Sequence, residues 1–222
     1  MRSIIILKPE DCLGANSTMR MDSTGVSDAL RALAEQLDYG GEPEIELVIC
    51  GGSALQVLGL VDRTTRDVDV LALARTSCTG TVELIPAEPL PKGVVDAARI
   101  VARDLDLPAD WLNPGPTDLL SQGLPCGLVE RLQTKRYGSR LVAHFIGRFD
   151  QVCLKLYAVV TGGEGGRHLA DLVALHPSPE EMMAAATWCL TQDASEAFPQ
   201  IVRSCLEQIG YPDVAKSIEN GL

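Results

Sequence analysis

Apolar residues at 26, 29, 30, 33, 34 and 37 recur with helical spacing, and Ser27 and Asp28 suit the start of such a helix. Tyr39-Gly40-Gly41-Glu42-Pro43 ends it. Ile45 to Cys50 then reads as a buried strand running into Gly51-Gly52, and Ser53 to Leu60 as a short helix. The alternation of Asp67-Val68-Asp69-Val70 opens a second strand that continues to Leu73. Thr81 to Ile85 is a third, stopped by Pro86, Pro89 and Pro91. Apolar positions 94, 95, 98, 101, 102 and 105 predict a helix over 93–105, and the Pro- and Gly-rich stretch 107–127 reads as surface wrapping. Arg140 to Ile146 is a further strand. From there the period is helical: 151–161, a Gly-rich turn at 162–166, then 168–175, 179–190 and 196–209.

This order predicts an α+β fold with a small mixed sheet first and a helical bundle second. The expected regions are a poorly specified lead-in (1–22), a sheet-containing core (23–150) and a helical C-terminal subdomain (151–222). Met21 competes with Met1 as the true start.

Composition narrows the function classes. Apolar residues make up 46% and charged residues 22%, as in ordinary globular proteins. Aromatics are only 4%, which disfavours a base-stacking surface for single-stranded nucleic acid. The net charge of −11 opposes attraction to polyphosphate backbones overall. The charge is segregated, however: Arg131 to Arg167 holds seven Lys/Arg against two acids, and His168 to the end two against eight. Seven scattered cysteines without a C-x-x-C pair point to reduced thiols, not to a disulfide framework or thiolate zinc site. No apolar run approaches the ~20 residues of a membrane span, so the expected setting is cytoplasmic.

Two sequence features carry chemistry. Glycines between a strand and a helix let the backbone approach a ligand closely, and the helix N-terminus beyond offers free N–H groups to phosphate. Gly51, Gly52 and Ser53 occupy such a turn. Asp67 and Asp69, two apart on a strand, put both carboxylates on one face about 7 Å apart. Hard oxygen ligands so placed suit Mg²⁺ shared with substrate phosphates. Lys155 lies in the apolar run Val152 to Val160, where a cation needs a partner. Antiparallel helices meeting near Glu164 would bring it level with Asp171.

Gly51-Gly52-Ser53, thirteen intervening residues and Asp67-Val68-Asp69-Val70 together resemble the signature of the DNA-polymerase-β-like nucleotidyltransferases. Arg63-Thr64-Thr65-Arg66 is similar to the branch of abortive-infection and type IV toxin–antitoxin nucleotidyltransferases, with Arg66 directly before the acid pair. Lys155-Leu156-Tyr157-Ala158 and Arg167-His168-Leu169-Ala170-Asp171-Leu172 resemble the paired helices of that branch. The likeness spans residues 45–190.

The resemblance implies a metal-dependent enzyme that moves a nucleoside monophosphate from an NTP to a hydroxyl of a protein or RNA acceptor. Asp67 and Asp69 would hold Mg²⁺ (or Mn²⁺), and the backbone of Gly51, Gly52 and Ser53 would cradle phosphates. Arg66 and Lys155 would neutralise the triphosphate, and Asp171 would orient Lys155 or the acceptor. A cognate antitoxin is an implied partner. One departure stands out: a third carboxylate is expected on a neighbouring strand, and His144 stands there, with Glu83 as a substitute. His144, His168 and His176 show no metal-binding spacing. The alternative is a degenerate, non-catalytic fold that binds nucleotide or a partner chain.

Overall fold

Asp22 starts the first helix by accepting a 2.8 Å hydrogen bond from the Gly25 N–H, in a computed structural model that describes residues 20–162 and 166–219. Helix α1 (Ser23–Gly40) buries Val26, Ala29, Leu30, Leu33, Ala34 and Leu37, and Gly41 ends it at φ +67°. This is the predicted helix, slightly longer. Residues 1–19, most of the predicted lead-in, and Glu164, the predicted centre of the Gly-rich turn, lie outside the described residues. Met21 does not belong with a loose lead-in. It is 3% exposed and pairs by two backbone hydrogen bonds with Thr65.

Strand β1 (Ile45–Cys50) leads into α2 (Gly51–Val57), and β2 (Val68–Thr76) and β3 (Val82–Ile85) follow. Next come α3 (Lys92–Asp104), the two-residue strand β4 (Leu112–Asn113), α4 (Asp118–Gln122), β5 (Gln133–Arg136) and β6 (Leu141–Phe145). Helices α5 (Arg148–Val160), α6 (Arg167–Ala174), α7 (Pro179–Leu190), α8 (Phe198–Gln208) and α9 (Pro212–Glu219) complete an α+β chain.

The sheet runs β3-β2-β1-β6-β5, with β4 beside the start of β2. It is mixed: β1 is antiparallel to β2 and parallel to β6, and β4 is parallel to β2. One face, with Leu47, Ile49, Val68, Val70 and Phe145, packs against α1 and α3. The other carries Val48, Cys50, Leu71, Ala72 and Ala74 and meets Leu154 of α5. A third core joins α5 to α9 and takes in Leu55 of α2. Leu55 therefore anchors the helix after the glycine turn to the helical bundle.

The register between β1 and β2 slips at Val48/Ile49, leaving Leu71 as an extra residue. Leu71 and Ala72 consequently face the same core, which strict alternation forbids. Below this bulge Asp69 stands opposite Cys50, the residue before Gly51.

Four local readings need correction. Strand β2 begins at Val68, so Asp67 immediately precedes it, and α2 begins at Gly51 instead of Ser53. The stretch 107–127 is not merely surface wrapping. It contains β4 and α4, and Trp111 is fully buried, its Nε1 donating to the Ala98 carbonyl at 2.9 Å. Strand β5 has no apolar alternation to predict it: Gln133, Thr134, Lys135 and Arg136 are all exposed, the polar edge that discourages pairing with another chain. Helix α9 is a further addition. Among the described residues six cysteines are free, and no helix is long and apolar enough to cross a membrane.

Candidate functional site

Gly51 and Gly52 each make room for a different charged group. Gly51 has φ +67°, and a Cβ there would overlap Asp69 Oδ2. Only glycine permits both the backbone conformation and the approach of the carboxylate. A Cβ on Gly52 would fall 2.6 Å from Arg63 Nη2, so the guanidinium occupies the space beside this glycine. Ser53 is fully buried, and its Oγ donates to the Cys50 carbonyl at 3.3 Å. The hydroxyl thus secures the turn from inside, leaving the backbone as Ser53's contribution to any ligand.

The two aspartates are held differently. Asp67 Oδ1 accepts from Thr65 Oγ1 at 3.1 Å, and Thr65 is itself buried and tied to Met21. Asp69 Oδ1 accepts from Asn113 Nδ2 at 3.0 Å. Asn113 Oδ1 in turn accepts from the Gly115 N–H at 3.0 Å, which fixes which end of the amide faces Asp69. Burial and the neighbouring Asp67 charge push the Asp69 pKa up to about 6, against the pull of Asn113, Lys155 and Arg167. The acids and both cations therefore share one electrostatic environment.

Asp171, 1% exposed at the centre of α6, binds two cations. Arg63 grips it bidentately, Nε to Oδ1 at 2.6 Å and Nη2 to Oδ2 at 2.7 Å, while Lys155 Nζ lies 2.8 Å from Oδ2. Burial alone would push Asp171 up, but the Arg63 hydrogen bonds and the Lys155 charge bring it below the ordinary carboxylate range. The same pairing raises the Arg63 pKa. A desolvated carboxylate between two cations, bonded through both oxygens, is the arrangement that makes a buried ion network tolerable.

The fold brings Gly51, Gly52, Asp67, Asp69, Lys155 and Asp171 into one locality. Arg66 precedes Asp67 but is exposed. His144 is not at the acid pair. It pairs in register with Val48, its Nε2 lies 2.8 Å from Glu46 Oε2, and its Nδ1 lies 2.8 Å from Thr134 Oγ1. Glu83 stands opposite Arg75, six residues along β2 from Asp69 and so roughly 20 Å away. The residues beside Asp69 on its two neighbouring strands are Cys50 of β1 and Asn113 of β4, neither of them an acid.

Asn113 and Arg63 are the site residues that sequence reasoning missed. Asn113 lies in a Pro/Gly-rich stretch with no periodicity, and Arg63 carries no signal in the sequence beyond its place in the Arg-Thr-Thr-Arg run. Lys155's need for a partner was legible, and Asp171 is that partner.

Compared with known protein families, with characterised proteins and with solved structures, the chain shows no significant match. Among the described residues no three His, Cys, Asp or Glu side chains converge on a ready-made cation cage. The oxygen donors of Asp67 and Asp69 are of the kind a hard cation takes, together with ligand oxygens and water.

Proposed function

We propose that the chain is a metal-dependent nucleotidyltransferase that transfers a nucleoside monophosphate from an NTP to a hydroxyl of a protein or RNA acceptor. One observation carries the reading. The Asp69 carboxylate packs into the space left by Gly51, with Asp67 adjacent and the Lys155–Asp171–Arg63 network around the same turn.

Asp67 and Asp69 are the residues that would hold Mg²⁺ or Mn²⁺, which would supply Lewis-acid stabilisation of the charge developing in transfer. The backbone of Gly51, Gly52 and Ser53 receives phosphate oxygens. Lys155 supplies a cation held in place by Asp171, and Arg63 keeps Asp171 ionised and fixed. Arg66 and Arg167, both exposed, extend positive charge towards the solvent side. In the transfer the acceptor oxygen bonds to the α-phosphorus, the bond to the bridging oxygen breaks, pyrophosphate leaves and the hydroxyl proton passes to solvent.

Such an enzyme would act in the cytoplasm, where NTPs are available, and a cognate antitoxin would restrain it. A second reading, nucleotide or partner binding without transfer, is favoured by the amide of Asn113 beside Asp69.

The test is incubation with each α-³²P-labelled NTP, Mg²⁺ or Mn²⁺, and cell extract. Metal-dependent labelling that disappears in the Asp67→Ala/Asp69→Ala protein is expected. Equal labelling by both proteins would remove these acids from the reaction, and metal-dependent binding without labelling would favour the second reading.

A further inference from the structure

Four polar side chains form a hydrogen-bonded row across adjacent strands, on the sheet face that meets α5. Thr76 of β2 donates twice to Glu46 of β1, from Oγ1 to Oε2 at 2.6 Å and from its N–H to Oε1 at 3.2 Å. His144 Nε2 on β6 lies 2.8 Å from Glu46 Oε2, and its Nδ1 lies 2.8 Å from Oγ1 of Thr134, its register partner on β5. Glu46 comes four residues before Cys50, so the row stands ~13 Å along β1 from the glycine turn. Burial alone would raise the Glu46 pKa, but hydrogen bonds from Thr76 and His144 bring it below the ordinary range. An ionised carboxylate can only accept, so Nε2 carries a hydrogen. In the neutral ring Nδ1 is then the bare nitrogen, and it accepts from the Thr134 hydroxyl. His144 is 5% exposed, yet the row ends at Thr134, which is open to solvent. A cavity of about 470 Å³ lies there, and its lining includes Val82, Val129, Leu132, Val142 and Arg136. Further along, the same face is packed with Val48, Ala72 and Ile146, so an ion-paired imidazole is not what folding requires of it.

We propose that Thr134, His144 and Glu46 form a second reactive centre, which hydrolyses small carboxylic esters through an acyl-threonine. Thr134 is the nucleophile, His144 the base, and Glu46 the positioning residue that fixes the ring and its tautomer. Thr134 Oγ1 bonds to the ester carbonyl carbon as its proton passes to His144 Nδ1. The ester C–O bond then breaks, and the alcohol leaves with that proton. Water repeats the sequence at the acyl-threonine, releasing the carboxylic acid and restoring the hydroxyl. The doubly protonated ring formed in between faces the Glu46 carboxylate. Arg136, two residues along β5 and on the same side as Thr134, supplies positive charge for the oxyanion while pairing with Glu44. The apolar lining takes the acyl chain. This centre uses none of the residues around the Gly51 turn.

The experiment treats the full chain with a fluorophosphonate, which a nucleophilic hydroxyl attacks at phosphorus with loss of fluoride, and locates the adduct by peptide mass spectrometry. Hydrolysis of p-nitrophenyl acetate and butyrate is followed in parallel. Wild type carries one adduct, on Thr134, with or without EDTA. Thr134→Ser is labelled at the same position, and His144→Gln is labelled at least ~100-fold more slowly. Thr134→Val is not labelled and loses the ester hydrolysis. Glu46→Gln moves the midpoint of labelling against pH downwards, because the protonated ring loses its counter-charge. An unlabelled wild type, an adduct at another residue, equal rates in wild type and His144→Gln, or undiminished hydrolysis by Thr134→Val overturns the proposal. Each of these leaves the nucleotidyltransferase reading untouched. The wild-type adduct needs no variant to fold.

Discussion

Gly51 is constrained twice, by its backbone angle and by the carboxylate it admits, and the two constraints separate experimentally. Gly59 shares the positive φ, at +66°, but has nothing within 4 Å of an added Cβ. Gly59→Ala should therefore cost only the backbone strain, ~1 kcal/mol, whereas Gly51→Ala should cost at least ~2 kcal/mol because Asp69 must also move. Urea unfolding of both variants checks the difference, and equal losses would mean that Asp69 does not need the space. Asp69 itself offers a pH test. Its folded pKa of about 6 lies above the ordinary 3.8, so the folded state holds the proton more tightly. The ionised group thus weakens the ligand-free protein above pH 6, and the penalty fades as pH falls towards 4. Asp69→Asn should stabilise the ligand-free protein by about 1–2 kcal/mol at pH 7, with the gain vanishing near pH 4. Asp171 has the opposite sign. Its lowered pKa gives stability that is complete above the ordinary carboxylate value and lost as pH drops through the folded one.

Helix α6 has only eight residues and leaves Leu169 and Val173 exposed, so its apolar face alone holds it weakly. The Arg63–Asp171 and Lys155–Asp171 pairs fasten it to the segment before β2 and to α5. Removing Arg63 should release α6 in preference to the rest. Hydrogen exchange of an Arg63→Ala protein should be faster at Leu172 and its neighbours, while Leu30 and Leu33 of α1 keep wild-type rates. Uniform acceleration across both helices would assign Arg63 to global stability instead. Elements with a full apolar period, such as α1, α3 and α7, were legible in the sequence because burial on one face is what their pattern records. Strand β5 was not, since an exposed edge strand has no buried face to alternate. Strand β4 was not either, because two residues are too few for any period and it exists through pairing with β2. The Leu71 bulge was equally hidden, as it arises from the register between two strands.

Across the whole molecule, the segregated charge of the sequence does not survive as a segregated surface. Arg131 pairs with Asp150 at 2.6 Å, Arg140 with Asp38 at 3.5 Å, Arg136 with Glu44 and Arg148 with Glu181. Of the basic stretch, Lys155 and Arg167 lie near enough to act electrostatically on Asp69. Of the site's first half, the glycine turn and Asp69 on β2 could be read from spacing, whereas Asp67 lies just before the strand and is held by Thr65 instead of by the strand repeat. Its second half depended on which helices pack beside α2, which Leu55 decides through a core no local pattern displays. As a nucleotidyltransferase the chain would hold a divalent ion and a triphosphate together at Asp67 and Asp69. Calorimetric titration of the four NTPs, with Mg²⁺ and with EDTA, tests this most directly. Wild type should bind at least one NTP saturably only when Mg²⁺ is present, and Asp67→Ala/Asp69→Ala should lose that binding. Binding that ignores Mg²⁺ or survives in the double variant, or no binding of any NTP, would contradict it.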